Sequence, residues 1–217
     1  MKKKLIIYDL DGTLVDTRED IALSANFMRG QLGLPQLPAE TVCAYVGLGL
    51  ARLVESSLQS SDPELLEQGA RIYRAHYAEH LLDKSRLYPD VIELLDYFQD
   101  RAQVVITNKP EPYSSRILKE LGVSGRFLDI VAGDEVYPKK PSPESTRAMM
   151  HRFSAVPGEA IFIGDSPVDV QTGLAAGIEI VGVAQGFVPK EELEKAGPHY
   201  LVDHFKELLR IAKKNGW

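Results

Sequence analysis

The sequence predicts an α/β fold, a doubly wound parallel sheet with an all-helical segment inserted after its first strand. Three observations predict it. Short apolar runs at residues 4–8, 103–106, 128–132, 160–163 and 178–183 each stop at turn or polar residues. Helical patterns over 91–99, 112–121, 143–153 and 168–176 fill the intervals between the later runs. The stretch from 16 to 85, between the first two runs, carries helical patterns alone. Alternating strand and helix implies right-handed crossovers and a sheet covered on both faces. The expected division is a Rossmann-like core from 1–15 and 86–217 and a helical cap at 16–85.

Along the chain, Leu5-Ile6-Ile7-Tyr8 has no polar alternation, as in a strand buried on both faces. Asp9-Leu10-Asp11-Gly12-Thr13-Leu14-Val15 follows, with Gly12 permitting a sharp turn. Two carboxylates ~5 Å apart at an effective dielectric of ~20 repel by about 3 kcal/mol. Such a pair calls for a cation or for chemistry. Within the insert, residues 18–32 have helical periodicity and stop at Gly33-Leu34-Pro35 and Leu37-Pro38. Residues 49–58 and 63–82 form two more helical stretches. An insert this long, entering and leaving beside Asp9, is placed to act as a lid. The later runs lead into Thr107-Asn108-Lys109, Gly133-Asp134-Glu135, Gly164-Asp165-Ser166 and Ala184-Gln185-Gly186. Ligands bind at the carboxyl ends of parallel strands, so these residues are expected to converge.

Composition narrows the function. The 217 residues carry a net charge of -6, which argues against a nucleic-acid surface but leaves an anionic substrate open. Cys43 is the single cysteine, so no intrachain disulfide is possible. Lys2-Lys3-Lys4 precede an apolar run too short for a signal-peptide core, and no stretch approaches a membrane span. A cytoplasmic protein with no membrane partner is expected, with monomer and homodimer both open.

The chemistry sits in pieces that the topology brings together: Asp9 and Asp11; Thr107 and Asn108; Lys140 in Lys139-Lys140-Pro141-Ser142-Pro143; and Asp165 and Asp169 in Gly164-Asp165-Ser166-Pro167-Val168-Asp169. On one sheet edge they supply carboxylates for a hard divalent cation, a hydroxyl and an amide for phosphate oxygens, and a lysine point charge. That sum is a phosphoryl-transfer site. Taken singly, each has a plain reading: Asp9 and Asp11 as turn residues, Lys140 as a solvated lysine, Asp169 as a first-turn helix carboxylate.

In this order the pieces resemble the haloacid dehalogenase superfamily of phosphatases, over nearly the whole chain. The resemblance implies that Asp9 attacks phosphorus and becomes an aspartyl phosphate, and that Asp11 protonates the leaving alkoxide and then activates water. It implies Mg2+ held by Asp9, the backbone carbonyl of Asp11 and Asp165, with Asp169 in support, directly or through water. Gly12, Thr107, Asn108 and Lys140 would hold the phosphoryl group of a small phosphorylated metabolite. Thr107-Asn108-Lys109-Pro110 and Val46-Gly47-Leu48-Gly49-Leu50-Ala51-Arg52-Leu53-Val54 are similar to the phosphoglycolate phosphatase branch, which makes 2-phosphoglycolate the expected substrate. Arg52 is a candidate partner for its carboxylate, and equally a solvated helix arginine.

Asp11 argues against dehalogenation, which the family performs without a second aspartate. The absence of lysine between Val15 and Asp83 argues against a Schiff-base phosphonatase. A β-phosphoglucomutase-like phosphotransferase stays open, as does, from a different class, a phospho-accepting signalling domain. Receiver modules, however, lack an early helical insert. His76-Tyr77-Ala78-Glu79-His80 matches a zinc-peptidase pattern, yet no nearby acidic motif offers a third ligand, and Tyr73, Tyr77, His80 and Leu81 fit an aromatic face of a lid helix. His151, His199 and His204 are isolated.

Overall fold

A computed structural model describes residues 2–133 and 136–217. Asp134 and Glu135, which follow the third apolar run, lie outside the described residues. The chain opens with β1 (Leu5–Tyr8) and then β2 (Val15–Asp16). Helices α1 (Arg18–Gln31), α2 (Ala39–Cys43), α3 (Leu50–Leu58) and α4 (Pro63–His80) follow before β3 (Arg86–Leu87). The remainder alternates: α5 (Val91–Tyr97), β4 (Ala102–Ile106), α6 (Tyr113–Glu120), β5 (Asp129–Val131), α7 (Glu144–Arg152), β6 (Ala160–Gly164), α8 (Pro167–Ala176) and β7 (Glu179–Val183). The sequence pattern did not anticipate α2, the β2 and β3 ribbon, or the closing α9 (Lys190–Lys195), β8 (Tyr200–Val202) and α10 (Phe205–Asn215).

Six strands form a parallel sheet in the order β5-β4-β1-β6-β7-β8. The all-apolar β1 takes a central position, where Tyr8 pairs in register with Val105 on one side and Ile163 on the other. Alternate residues serve opposite faces. Ile6 and Tyr8 pack into a cluster with Leu94 of α5, Ile117 of α6 and Phe205 of α10. Leu5 and Ile7 pack into another with Met149 of α7, Val170 of α8 and Leu193 of α9. Both layers exclude water from β1, so the polar residue after Tyr8 emerges only at the sheet edge.

The helices α1 to α4 sit on the chain between β2 and β3, which pair antiparallel where it leaves and returns. Asp20 fastens that junction: its carboxylate accepts from the Lys84 and Ser85 amides at 3.0 and 2.7 Å and from Ser85 Oγ at 2.6 Å. Helix α4 starts where Asp62 caps the Glu64 amide at 3.1 Å with Pro63 in the first turn. Ile21, Met28 and Tyr73 of the insert belong to the same apolar cluster as Tyr8. No helix among the described residues is long and apolar enough to cross a membrane.

Candidate active site

Asp9 leaves β1 with its amide still in the sheet, donating to the Ile163 carbonyl at 3.0 Å. Its carboxylate accepts from the Leu10 amide at 2.7 Å and pairs with Lys140 Nζ at 2.7 Å. Lys140, 4% exposed, also pairs with Asp169 at 2.6 Å. Asp11 lies on a turn closed by Gly12, whose φ of 84° suits a residue without Cβ. The Gly12 amide donates to the Val15 carbonyl at 2.9 Å. The Asp11 carboxylate takes a different cation: Lys109 Nζ reaches both its oxygens, at 2.9 and 3.1 Å, and Thr17 Oγ1 donates at 2.6 Å. The two carboxylates that looked like a repulsive pair are thus held by separate lysines.

Asp165, at the end of β6, accepts from Thr13 Oγ1 at 2.8 Å and from the Phe187 amide at 3.0 Å. A Cβ on Gly12 or Gly186 would collide with its side chain, so the cradle around Asp165 requires glycine at both. Asp169 closes a capping box at the start of α8, accepting from Ser166 Oγ at 2.6 Å and from the Ser166 amide at 3.1 Å. Asp9, Asp165 and Asp169 are buried, with carboxylate oxygens within 4.8 Å of one another. This is the one such group of possible metal ligands among the described residues. The Asp11 carboxylate stands outside it.

Electrostatics mark this cluster as short of positive charge. Burial, then the Asp169 charge, push Asp9 up to about 7 although Lys140 opposes them. Burial and the charges of Asp169 and Asp9 push Asp165 well above the usual carboxylate range. Burial pulls the Lys140 ammonium down, but Asp169 and Asp9 overcome it and raise it. One lysine between three buried carboxylates leaves room for a cation. All the donors are oxygens, the set that Mg2+ or Ca2+ takes.

Thr107 follows β4, its amide donating to the Val131 carbonyl at 3.0 Å and its hydroxyl accepting from the Lys109 amide at 3.1 Å. Asn108 is committed to backbone. Its Oδ1 accepts from the Lys140 amide at 2.9 Å, while its Nδ2 donates to the Lys140 carbonyl at 2.9 Å and the Gly47 carbonyl at 2.7 Å. The Asn108 side chain therefore positions Lys140 and bridges to the insert, and its amide is not free for a phosphate. Asp9, Asp11, Thr107, Asn108 and Lys109 line one cavity of about 60 Å³, walled on the insert side by Ile21, Leu50, Leu53, Tyr73 and Tyr77.

Arg52 is not brought to this cavity. Its side chain is 55% exposed and pairs with Glu55 at 2.8 Å. His76 and His80 do not form a zinc site. His76 Nδ1 shares a hydrogen bond with Ser24 Oγ at 2.9 Å, His80 Nδ1 pairs with Asp83 at 2.8 Å, and the rings stack at 4.3 Å. Residues without a role in the motif pattern turn out to touch the site: Lys109, Thr13, Thr17 and Tyr77. For Lys109 the signal is its place directly after Thr107-Asn108. Thr13 and Thr17 are ordinary turn residues until the fold sets them beside carboxylates.

The family model for haloacid dehalogenase-like hydrolases matches residues 6–183. A phosphoglycolate phosphatase of Haemophilus influenzae is 33% identical over 218 residues, covering 96% of this chain and 97% of its own. One from Colwellia psychrerythraea is 33% identical over 222 residues, covering 98% of each chain. The crystal structure of a predicted phosphoglycolate phosphatase from Haemophilus somnus superposes with a TM-score of 0.93 at 29% identity, covering 98% of this chain and 99% of that one.

Proposed function

This chain belongs to the haloacid dehalogenase-like hydrolases, and on that premise we propose that it is a Mg2+-dependent phosphatase that hydrolyses 2-phosphoglycolate through an aspartyl phosphate. The observation that carries the reading is the separation of Asp9 and Asp11 onto different lysines within one cavity. Two carboxylates in different environments can take the two roles that a double displacement needs.

Asp9 is the nucleophile. Its oxygen attacks phosphorus as the bond from phosphorus to the ester oxygen breaks, and the phosphoryl group passes to Asp9. Asp11 gives a proton to the departing alkoxide and then takes one from the water that hydrolyses the aspartyl phosphate. Lys140, fixed through its backbone by Asn108, neutralises charge on the phosphoryl oxygens, and Thr107 offers them a hydroxyl. Gly12 keeps this turn open beside Asp165. Asp9, Asp165 and the Asp11 backbone carbonyl would hold Mg2+, with Asp169 in support. When bound it supplies positive charge to the phosphoryl oxygens and to the buried carboxylates.

The substrate reading is supported by the names of the relatives at 33% identity. A phosphate-release screen of 2-phosphoglycolate, sugar phosphates, nucleotides and pyrophosphate, with Mg2+ and with chelator, tests it. The expected result is Mg2+-dependent release, greatest with 2-phosphoglycolate, and about 10³-fold lower or less in Asp9→Asn. Substantial turnover by Asp9→Asn would remove the nucleophile assignment.

A further inference from the structure

The insert side of the cavity holds a buried polar atom that has no partner in the fold. Tyr77, on α4, lines the cavity and is 1% exposed, and its hydroxyl is buried without a hydrogen-bond partner. Native structures rarely keep such a group without a use. The neighbouring Tyr113 hydroxyl, by contrast, donates to the Arg74 carbonyl at 3.3 Å. The Tyr77 ring is fixed by stacking on Tyr73 at 5.4 Å and by an edge contact with Tyr113 at 5.3 Å. Lys109 Nζ lies 4.6 Å from its centroid while pairing with Asp11. Lys109 is the one cation among the residues lining this cavity.

Under the phosphatase reading, on which this step rests, the ester oxygen departs at Asp11. The rest of the leaving group then extends past Asp11, to where Lys109 and Tyr77 stand. A neutral alcohol would leave the Tyr77 hydroxyl unmet and Lys109 still bound to the proton carrier. A carboxylate one methylene from the ester oxygen would accept from both. We infer that Tyr77 Oη and Lys109 Nζ form the subsite for the leaving group's carboxylate, which makes the enzyme selective for phosphate esters of small hydroxy acids. Transfer of Lys109 from Asp11 to this carboxylate releases Asp11 as the acid is needed, so a substrate lacking the carboxylate meets a slower catalyst. Burial, then the Asp11 charge, hold the Tyr77 hydroxyl well above its usual range, so it stays a donor.

Tyr77→Phe deletes the hydroxyl alone. The test compares kcat/KM for 2-phosphoglycolate and for ethyl phosphate, which puts a methyl group in place of the carboxylate. In wild type 2-phosphoglycolate should be strongly preferred. In Tyr77→Phe the ratio of the two values should fall about tenfold or more, the range for a hydrogen bond to a charged group. Tm should be no lower than in wild type, because the hydroxyl removed is unpaired. Equal losses on both substrates, or a lower Tm with an unchanged ratio, would make Tyr77 a structural residue and overturn the inference. Wild-type turnover of both esters at equal rates would overturn the subsite and leave the phosphatase standing. If wild type hydrolyses neither ester, the phosphatase reading fails. Glycolate binding by calorimetry then still decides the subsite: affinity about tenfold weaker in Tyr77→Phe supports it, and equal affinity, or none in either protein, overturns it.

Discussion

Along the sheet edge the cavity is charged, with Asp9 and Asp11 each held by a lysine, whereas the helical insert presents it with aromatic and aliphatic side chains. Lys140 bridges Asp9 and Asp169 at 2.7 and 2.6 Å, and Lys109 grips Asp11. Opposite them stand Ile21, Leu50, Leu53 and Tyr73. The difference teaches where chemistry and selection reside. Asp9 and Asp165 follow strand ends locked into a buried sheet, and Asp169 is held in the first turn of α8, which fixes the positions of these carboxylates. The insert is joined through the β2 and β3 ribbon and the Asp20 clasp, and it walls one side of the cavity.

The largest expected break in this contrast comes from the charged side. Lys140→Ala should lower kcat about 10²-fold or more, since it removes charge neutralisation at the transferring group. It should also destabilise the protein by about 3–5 kcal/mol, because Asp9 and Asp169 would be left buried beside each other without their shared cation. Phosphate release and urea unfolding measure the two effects, and a kinetic loss under about tenfold would count against the clamp role.

Metal and pH sharpen the contrast by titrating the same side. Asp9 titrates near 7 when folded, well above an unfolded aspartate. The folded state therefore holds the extra proton between about pH 4 and 7, and metal-free stability contributed by this group falls as pH rises through that window. Asp9→Asn should not share the decline, so its Tm advantage over wild type should widen from pH 5 to 8, by an amount on the order of a few kcal/mol in stability. Added Mg2+ should close the gap in wild type, most at the alkaline end. A gap that does not change with pH would contradict the charge crowding described at this site. The smallest effect is expected on the insert. Arg52→Ala should change kcat/KM by less than about twofold and stability by less than about 0.5 kcal/mol, because its partner is an exposed Glu55. A larger kinetic loss would bring Arg52 back toward the substrate.

Much of the architecture was legible because it is written in short-range patterns. The uninterrupted apolar run of β1 and the strand ends at Thr107 and Asp165 need only local periodicity to be seen. The closing β8 is three residues long, and α9 only six, too short for a periodic signal to rise above loops. The eleven residues of α10 did carry one, with Phe205, Leu208, Leu209 and Ala212 on its buried face. At the site, aspartates at strand ends announced themselves. The role of Asn108 did not, since its three backbone bonds join segments far apart in sequence.

The order of residues along the chain determined that Asp9, Asp11, Thr107, Asp165 and Asp169 would lie at one edge, because parallel strands bring their carboxyl ends, and the turns just past them, to one side whatever the side-chain detail. The pairing was left to the tertiary structure. It gave Lys140 to Asp9 and Asp169, Lys109 to Asp11, Arg52 to Glu55, and no partner to the Tyr77 hydroxyl. The physical reason is range. Hydrogen bonds and ion pairs form or fail within an ångström or so, a margin set by how helices and strands pack against each other and invisible to any pattern within one of them.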